Sequence, residues 1–371
     1  MNRPKNDAAP LVRISKRTEI SRVKSWGIRG VALLLALLVA GFVIFAIVKL
    51  NPIRVYASMF QGAFGTTNRS WVTIRDAMML LCVGVGLAPA FKMRFWNIGA
   101  EGQILVGGIA TAACMIYFGK SLPTGVLMIV MLIASIVAGC IWGLLPAFFK
   151  ARWGTNETLF TLMMNYVAFQ LTAYAVSMWE NPSGSNSVGI INPQTKAGWF
   201  PELFGQTYGL NVLLVLSLAA AMYIYMKYSK QGYEIAVVGS SENTARYAGI
   251  SVRKVYLRTM AISGAICGVA GFLTVSGASH TISTSTAGGR GFTAIIVAWL
   301  AQFNTVTMIL IAFLLAFLEK GAVEIASAYN LNDYASSIIT GIILFFILGS
   351  EFFINYQVIF RKKTGTGGEA A

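Results

Sequence analysis

The chain has 371 residues, of which 56% are hydrophobic and only 12% charged. It carries 29 Lys and Arg against 14 Asp and Glu, a formal net charge of +15. An average soluble domain has about twice this charged fraction, so the composition excludes an ordinary soluble domain. It predicts a polytopic, all-α membrane helical bundle. No basic groove interleaved with aromatic residues is present, so the charge does not indicate binding to nucleic acid.

A basic segment, residues 1–29, opens the chain and is predicted to be a cytoplasmic tail. It holds eight Lys and Arg against Asp7 and Glu19, as the positive-inside rule requires, although a helix lying on anionic lipid is a second interpretation. The apolar run at 30–48 follows with nineteen uncharged residues. This run is too long for a signal peptide and can cross a bilayer core.

Nine further apolar runs follow in chain order. They lie at 77–91, 102–118, 122–149, 158–179, 209–226, 259–278, 291–303, 305–318 and 335–350. The pattern predicts about ten transmembrane helices, some broken or half-spanning, in one transmembrane domain at 30–360. A short cytoplasmic tail is predicted at 361–371, where Arg361, Lys362 and Lys363 stand together.

The distribution of Lys and Arg predicts the orientation of the connecting segments. Residues 180–208 contain one Lys and many turn-forming residues, which predicts a long extracytoplasmic loop. Residues 227–258 contain six Lys and Arg, which predicts the largest internal cytoplasmic loop. The segment 49–76 is assigned to an outside loop despite four basic residues. Both termini are predicted to be cytoplasmic.

Several chemistries lack the residues that they need. The four Cys stand singly and His280 is the one His of the chain, which argues against disulfides, a metal site and a His-based catalytic triad. The pattern that cradles a nucleotide phosphate is also missing, because Cys114 stands where its first Gly is required. We therefore expect no catalytic residue, no metal and no cofactor in this chain.

The stretch "RFWNIGAEGQILVGG", 94–108, places a carboxylate among glycines inside an apolar region. Glu101 follows Gly99, where a helix would restart, so it can stabilise the amino-terminal end of a helix dipole. A charge in a membrane segment costs at least ~2.5 kcal/mol and usually faces protein or water, so a place in a solute path is the other interpretation. Asn97 and Gln103 flank it.

The stretch "GTNETLFTLMMNYVAF", 154–169, combines a helix start with a buried amide. Thr155 or Asn156 can cap the helix, and Glu157 suits its first turn. Asn165 lies about two turns further, where its amide must find a partner or face a cavity.

The stretch "SSENTARYAGI", 240–250, predicts a short amphipathic helix in the cytoplasmic loop. Ser240 or Ser241 caps it, Ala245 and Ala248 form a small-residue face, and Gly249 ends it. Such a helix suits docking into a groove of a partner, and the alternative is a solvated connector. Further along, "GAICG" at 264–268 permits close helix contact.

These stretches together resemble the membrane permease subunits of bacterial ABC importers, in the branch for simple sugars and purine nucleosides. The family shows F-N-I-G-x-E-G-Q, and here Trp96 is inserted between Phe95 and Asn97. It also shows G-T-N-E with M-x-N-Y, a cytoplasmic A-A-R-Y-A-G-I, and a late G-x-G-F motif, which here begins "GRGF". The likeness covers roughly residues 30–350, and four motifs in order are specific.

The resemblance implies partners and roles. It implies a separate ATP-binding subunit, a second permease subunit of the same or a homologous chain, and an extracytoplasmic substrate-binding lipoprotein, all at a bacterial inner membrane. The predicted solute path contains Asn97, Glu101, Gln103 and Asn165. The predicted contact with the ATP-binding subunit contains Glu242, Asn243, Ala245, Arg246, Tyr247, Ala248, Gly249 and Ile250.

The sequence also allows two other functions, a secondary transporter and a membrane-embedded enzyme. An ion-gradient-driven secondary transporter would use Glu101 or Glu157, but no further paired intramembrane acid supports it. A membrane-embedded enzyme lacks a nucleophile and a base. Within the ABC importer hypothesis, a nucleoside, a simple sugar and a vitamin such as riboflavin all fit an apolar path with scattered amides and hydroxyls.

Overall fold

The computed structural model describes residues 12–17, 21–49, 51–203, 205–330 and 333–360. The helices of this part of the chain are α1 (Arg22–Val43), α2 (Pro52–Phe64), α3 (Thr67–Lys92), α4 (Ala100–Phe118), α5 (Thr124–Trp153), α6 (Glu157–Met178), α7 (Gly209–Tyr228), α8 (Lys230–Ser240), α9 (Glu242–Tyr247), α10 (Val252–Thr274), α11 (Arg290–Leu300), α12 (Thr305–Ala328) and α13 (Asp333–Asn355). Two π-helical turns, Ile44–Val48 and Val275–Ser279, continue α1 and α10.

Among the described residues, eight helices are long and apolar enough to cross a membrane. They are Gly27–Ala46, Thr67–Lys92, Ala100–Phe118, Thr124–Trp153, Glu157–Met178, Gly209–Tyr228, Val252–Ser279 and Thr305–Ala328. Two shorter apolar helices, Arg290–Leu300 and Gly341–Ile354, complete the set. The expectation of an all-α bundle with about ten apolar helices, some too short to span, is confirmed.

The amino-terminal region contains more regular structure than its composition predicted. The strand β1 (Val12–Lys16) lies inside the predicted tail and pairs antiparallel with β2 (Tyr356–Phe360), with Val12 opposite Phe360. The chain at 52–64, assigned to a loop, is the helix α2, because its apolar residues recur at helical spacing. The predicted tail at 361–371 lies outside the described residues.

The chain divides into two compact units, and the smaller comprises residues 1–62 and 321–371. In its described part, α1 packs against α13. The Tyr56 hydroxyl donates to the Leu37 carbonyl at 2.5 Å, and the Ser58 and Tyr329 hydroxyls lie 3.2 Å apart. Burial raises the pKa of Tyr56.

The larger unit, residues 63–320, is built around α10. This helix packs against α3, α4 and α5, while α11 packs against α3, and α6 against α4. The membrane-spanning windows of α3 and α10 are 89% and 78% buried, whereas that of α5 is 22% buried. The apolar outer face of α5 is therefore suited to lipid, and α3 and α10 form the core that positions the polar residues.

Glycines let the core helices approach closely, as the "GAICG" pattern predicted. A Cβ on Gly268 would lie 2.2 Å from the Ser135 carbonyl oxygen of α5, and one on Gly107 of α4 would lie 2.5 Å from the Gly268 carbonyl oxygen. No side chain fits at these contacts, so the three backbones pack directly on one another.

Candidate functional site

The connection between α3 and α4, residues 93–99, alternates buried and exposed residues, and side chains replace the backbone partners that a helix would supply. The side-chain oxygen of Asn97, Oδ1, accepts from the Gly99 N–H at 3.1 Å and from the side-chain amide of Gln103 at 3.3 Å. The Asn97 amide donates to the Ser263 hydroxyl at 3.2 Å. A buried backbone outside a helix must be satisfied in this way, and these bonds fix the path of the connection.

Two residues of α6 hold the same connection from the other side. Asn165 accepts from the Gly102 N–H and donates to the Ile98 carbonyl, both at 2.9 Å. The Thr161 hydroxyl accepts from the Ile98 N–H at 3.2 Å. The side-chain amide of Asn165, which was predicted to need a partner, thus binds the backbone where α4 starts.

The Glu101 carboxylate points away from this cluster, toward α11. Its Oε1 accepts from the Gly289 N–H and its Oε2 from the Gly291 N–H, both at 2.7 Å. The amino-terminal amides of α11 are therefore capped by a residue 188 to 190 positions earlier. The sequence predicted that Glu101 stabilises a helix start, but the amides that it binds belong to α11 rather than to its own helix.

The four predicted path residues are thus brought together around one connection, and all are buried. Asn97, Glu101, Gln103 and Asn165 are each at most 2% exposed. Each of the four side chains forms hydrogen bonds with other groups of the protein. Their role in a solute path stays a prediction, and it would be exerted through the backbone that they hold.

A charged cluster that the sequence analysis did not single out lies beside α11. The carboxylate of Asp76, on α3, is 2.9 Å from Arg75, 3.4 Å from Arg290 and 2.7 Å from Lys320. Arg75 and Asp76 directly precede the apolar run at 77–91 and belong to the segment 49–76 assigned to an outside loop. The signal that could have found them is complementary charge within apolar helices.

The segment predicted to be cytoplasmic and to dock a partner, residues 240–250, begins at the end of α8 and contains the short helix α9. Ser241 caps α9 by accepting from the Thr244 N–H at 3.2 Å, and Gly249 ends the segment at φ 74°. Tyr247 is 93% exposed, and Arg246 pairs with Glu242 at 3.5 Å. The remaining exposed members are Asn243 and Ala248, while Ile250 is half-buried.

Ala245 differs from the prediction, because it faces the protein and not the exposed side. It is fully buried in a hydrophobic cluster with Phe95, Ile235, Val255 and Tyr256. An alanine is small enough to let α9 lie against α10, so Ala245 anchors the helix and leaves the opposite face available.

The docking segment and the connection at 93–99 share one side chain. The Tyr256 hydroxyl donates to Glu242 of α9 at 2.5 Å, and the Tyr256 ring contacts the Phe95 ring at a centroid distance of 5.8 Å. Phe95 lies two residues before Asn97. Nearby, Lys150 pairs with Glu157 at 2.8 Å. Tyr256 therefore contacts both α9 and the connection that starts α4.

A family model described as "Branched-chain amino acid transport system / permease component" matches residues 72–348. The chain belongs to this permease family. It is 30% identical to a glucose ABC transporter permease protein of Haloferax volcanii, over 94% of this chain and 96% of the relative. It is 31% identical to the guanosine ABC transporter permease protein of Bacillus subtilis, over 88% of this chain and 94% of the relative.

A nucleoside ABC transporter permease protein of Lactococcus lactis is 26% identical, over 86% of this chain and 91% of the relative. The resemblance drawn from the four motifs is thus confirmed, and the chain is a membrane permease subunit of an ABC importer. Membership of this family does not support the alternative of an ion-gradient-driven carrier. The geometry agrees, because Glu101 is bound to amides and Glu157 to a lysine.

Proposed function

We propose that this chain forms the translocation path for a nucleoside or a simple sugar. An extracytoplasmic binding lipoprotein would deliver the solute, and a separate ATP-binding chain would hydrolyse ATP. The observation that carries the choice of solute is the similarity to permeases named for guanosine, nucleosides and glucose, two of them matching over nearly the full length.

The path is proposed to lie beside the connection at 93–99 and the amino-terminal end of α11. A helix that starts within the membrane presents unpaired amides, and here Glu101 and the loop before α11 occupy that position. Asn97, Gln103 and Asn165 would act as positioning residues, because each binds the backbone or its neighbours rather than lining an open space.

The coupling surface is proposed to be the exposed face of α9. A short helix anchored by Ala245 and exposing Tyr247 suits the groove of an ATP-binding subunit, since aromatic side chains that become buried contribute most to interfaces. Arg246 and Glu242 would supply charge at its rim. A second permease subunit would complete the path, and lipid would cover the apolar faces of α5 and α7.

The assignment is tested by reconstituting the complex in vesicles and measuring uptake of labelled guanosine and labelled glucose. We expect uptake of one of them that requires hydrolysable ATP and the binding lipoprotein. The purified permease alone should show no ATPase turnover. Uptake driven by an ion gradient in the absence of ATP would contradict the proposal.

The coupling surface is tested by replacing Ala248 with Trp and, separately, Tyr247 with Ala. We expect both variants to insert normally, because α9 lies outside the spanning helices, and to lose co-purification with the ATP-binding subunit. Tyr174→Ala is the matched control, since Tyr174 is 66% exposed on α6, away from α9. If both α9 variants associate normally with the ATP-binding subunit, this segment is a solvated connector and not a docking surface.

A further inference from the structure

A polar cavity of about 270 Å³ lies beside the start of α11. Its walls come from α3, from the end of α10 with its π-helical turn, and from the segment 280–289. Its polar lining includes Arg75, Ser279, Thr281, Ser283, Ser285 and Arg290. None of the ten described residues that line it is aromatic.

The cavity lies at the start of the apolar run of α3, residues 77–91, beside the short helix α11. Asp76, which binds both lining arginines, lies nine residues into α3, about 14 Å along the helix axis. The helix α11 that begins at Arg290 has 11 residues and is too short to span. Charged groups within membrane-spanning helices are costly, and they usually mark a solute path.

The cavity adjoins the segment 180–208. The Ile191 N–H donates to the His280 carbonyl at 2.8 Å, and the Phe200 N–H donates to the Ser276 carbonyl at 3.2 Å. The Arg75 guanidinium lies 4.8 Å above the Tyr208 ring. Since 180–208 is proposed to be extracytoplasmic, the cavity lies beside the segment at which a solute would be released.

The lining of the cavity offers both hydrogen-bond donors and hydrogen-bond acceptors to a solute. The Ser279 hydroxyl donates to the Thr274 and Thr281 carbonyls, at 3.1 and 3.0 Å, so its oxygen is left as an acceptor. A guanidinium carries five N–H donors, and the bonds of Arg75 to Asp76 use only part of them.

A hydroxyl-bearing solute matches this lining, because each of its hydroxyls both accepts and donates. An anion could accept from the arginines and from the Ser283 and Ser285 hydroxyls, but it could not donate to the Ser279 oxygen, whose hydrogen is already engaged. A purine base would find no ring on which to stack in this lining.

We propose that this cavity binds the hydroxylated ring of the solute, the ribose of a nucleoside or the ring of a simple sugar. The guanidiniums of Arg75 and Arg290 donate to solute hydroxyls, and the serine oxygens accept from them. Asp76 holds both arginines in place. This inference rests on the proposed function, because it specifies which part of that solute the permease contacts.

The test compares solutes that differ only in ring hydroxyls, in the reconstituted complex with saturating binding lipoprotein. The pairs are guanosine with its dideoxy analogue, and glucose with a deoxy analogue. In Ser283→Ala and Ser285→Ala, the transport rate of the hydroxylated solute relative to its analogue should fall about fivefold, the effect of one hydrogen bond. Thr284→Ala is the control, since this exposed neighbour does not line the cavity.

The outcomes separate the two proposals. If the wild-type complex carries a nucleoside or a sugar and the serine variants leave the ratio unchanged, or lower both rates equally, the cavity proposal is wrong and the function stands. If ribose 5-phosphate is carried in preference to neutral solutes, the cavity takes an anion and this proposal is overturned. If none of these solutes is carried, the proposed function and the cavity proposal fail together.

Discussion

Glu101 shows how one side chain can join distant parts of a membrane fold. Its two oxygens satisfy two of the amides at the start of α11, in a site where the side chain is 2% exposed. Buried amides without an acceptor are costly, and a carboxylate bound to backbone N–H groups is stronger than a neutral pair. The residue therefore both neutralises a helix end and ties α4 to α11.

Replacing Glu101 with Gln should destabilise the larger unit by about 2–4 kcal/mol, because one amide of α11 then faces an N–H₂ group instead of an acceptor. The measurement is the unfolding midpoint of the detergent-solubilised chain. Glu180→Gln is the matched control, since Glu180 also accepts from two backbone N–H groups, those of Gly184 and Asn186, in an exposed turn. We expect it to cost less than about 1 kcal/mol; equal losses in both variants would contradict the capping role.

The sequence could predict that Glu101 and Asn165 must be satisfied, but it could not predict by which groups. The cost of an unpaired amide or carboxylate is local and follows from the residue type. The partner depends on which helices pack together, and here it stands on another helix in both cases. The Asp76 cluster was missed for the same reason, because its three cations come from α3, α11 and α12.

At the level of whole helices, the core depends on the direct contact of α4, α5 and α10. The "GAICG" pattern predicted a close approach but not its direction. The structure supplies the direction, since Gly264 and Gly268 face Gly139 of α5, and Gly268 also faces Gly107 of α4. Small residues opposite one another maximise van der Waals contact, which drives helix association where lipid is as apolar as protein.

Gly268→Ala should destabilise the fold by about 1–3 kcal/mol, because the added Cβ would require α5 and α10 to separate. The unfolding midpoint in detergent measures this effect. Gly125→Ala is the control, since nothing lies within 4 Å of a Cβ there and alanine favours the helix, so we expect no loss of stability. A Gly268→Ala protein as stable as the wild type would show that the contact is not tight.

At the scale of the molecule, composition and hydropathy were enough to predict the class, the approximate number of helices and the short apolar segments. They did not predict α2, because 52–64 lies outside the long apolar runs and within the segment 49–76, which carries four basic residues. They also could not predict the pairing of β1 with β2, since strand partners 340 residues apart leave no local pattern.

The orientation is a prediction of the charge distribution and can be tested directly. Ser185→Cys, in the segment 180–208, should react with an impermeant maleimide from outside intact cells. Ser240→Cys, at the end of α8, should react only after the membrane is opened. The wild type is the background control, because Cys82, Cys114 and Cys267 are buried and Cys140 is partly buried. Reaction of Ser240→Cys in intact cells would invert the topology.

The bond between Glu101 and α11 also has a consequence for biosynthesis. The carboxylate leaves the ribosome 188 residues before the Gly289 amide that it binds, a delay of roughly 10–40 s at ordinary rates of translation. During that interval α4 enters the membrane with an uncompensated charge, while α11 is too short to be inserted as an independent span. We therefore expect α4 to be retained at the insertion machinery until α11 emerges, so that release into lipid is timed by the synthesis of the last quarter of the chain.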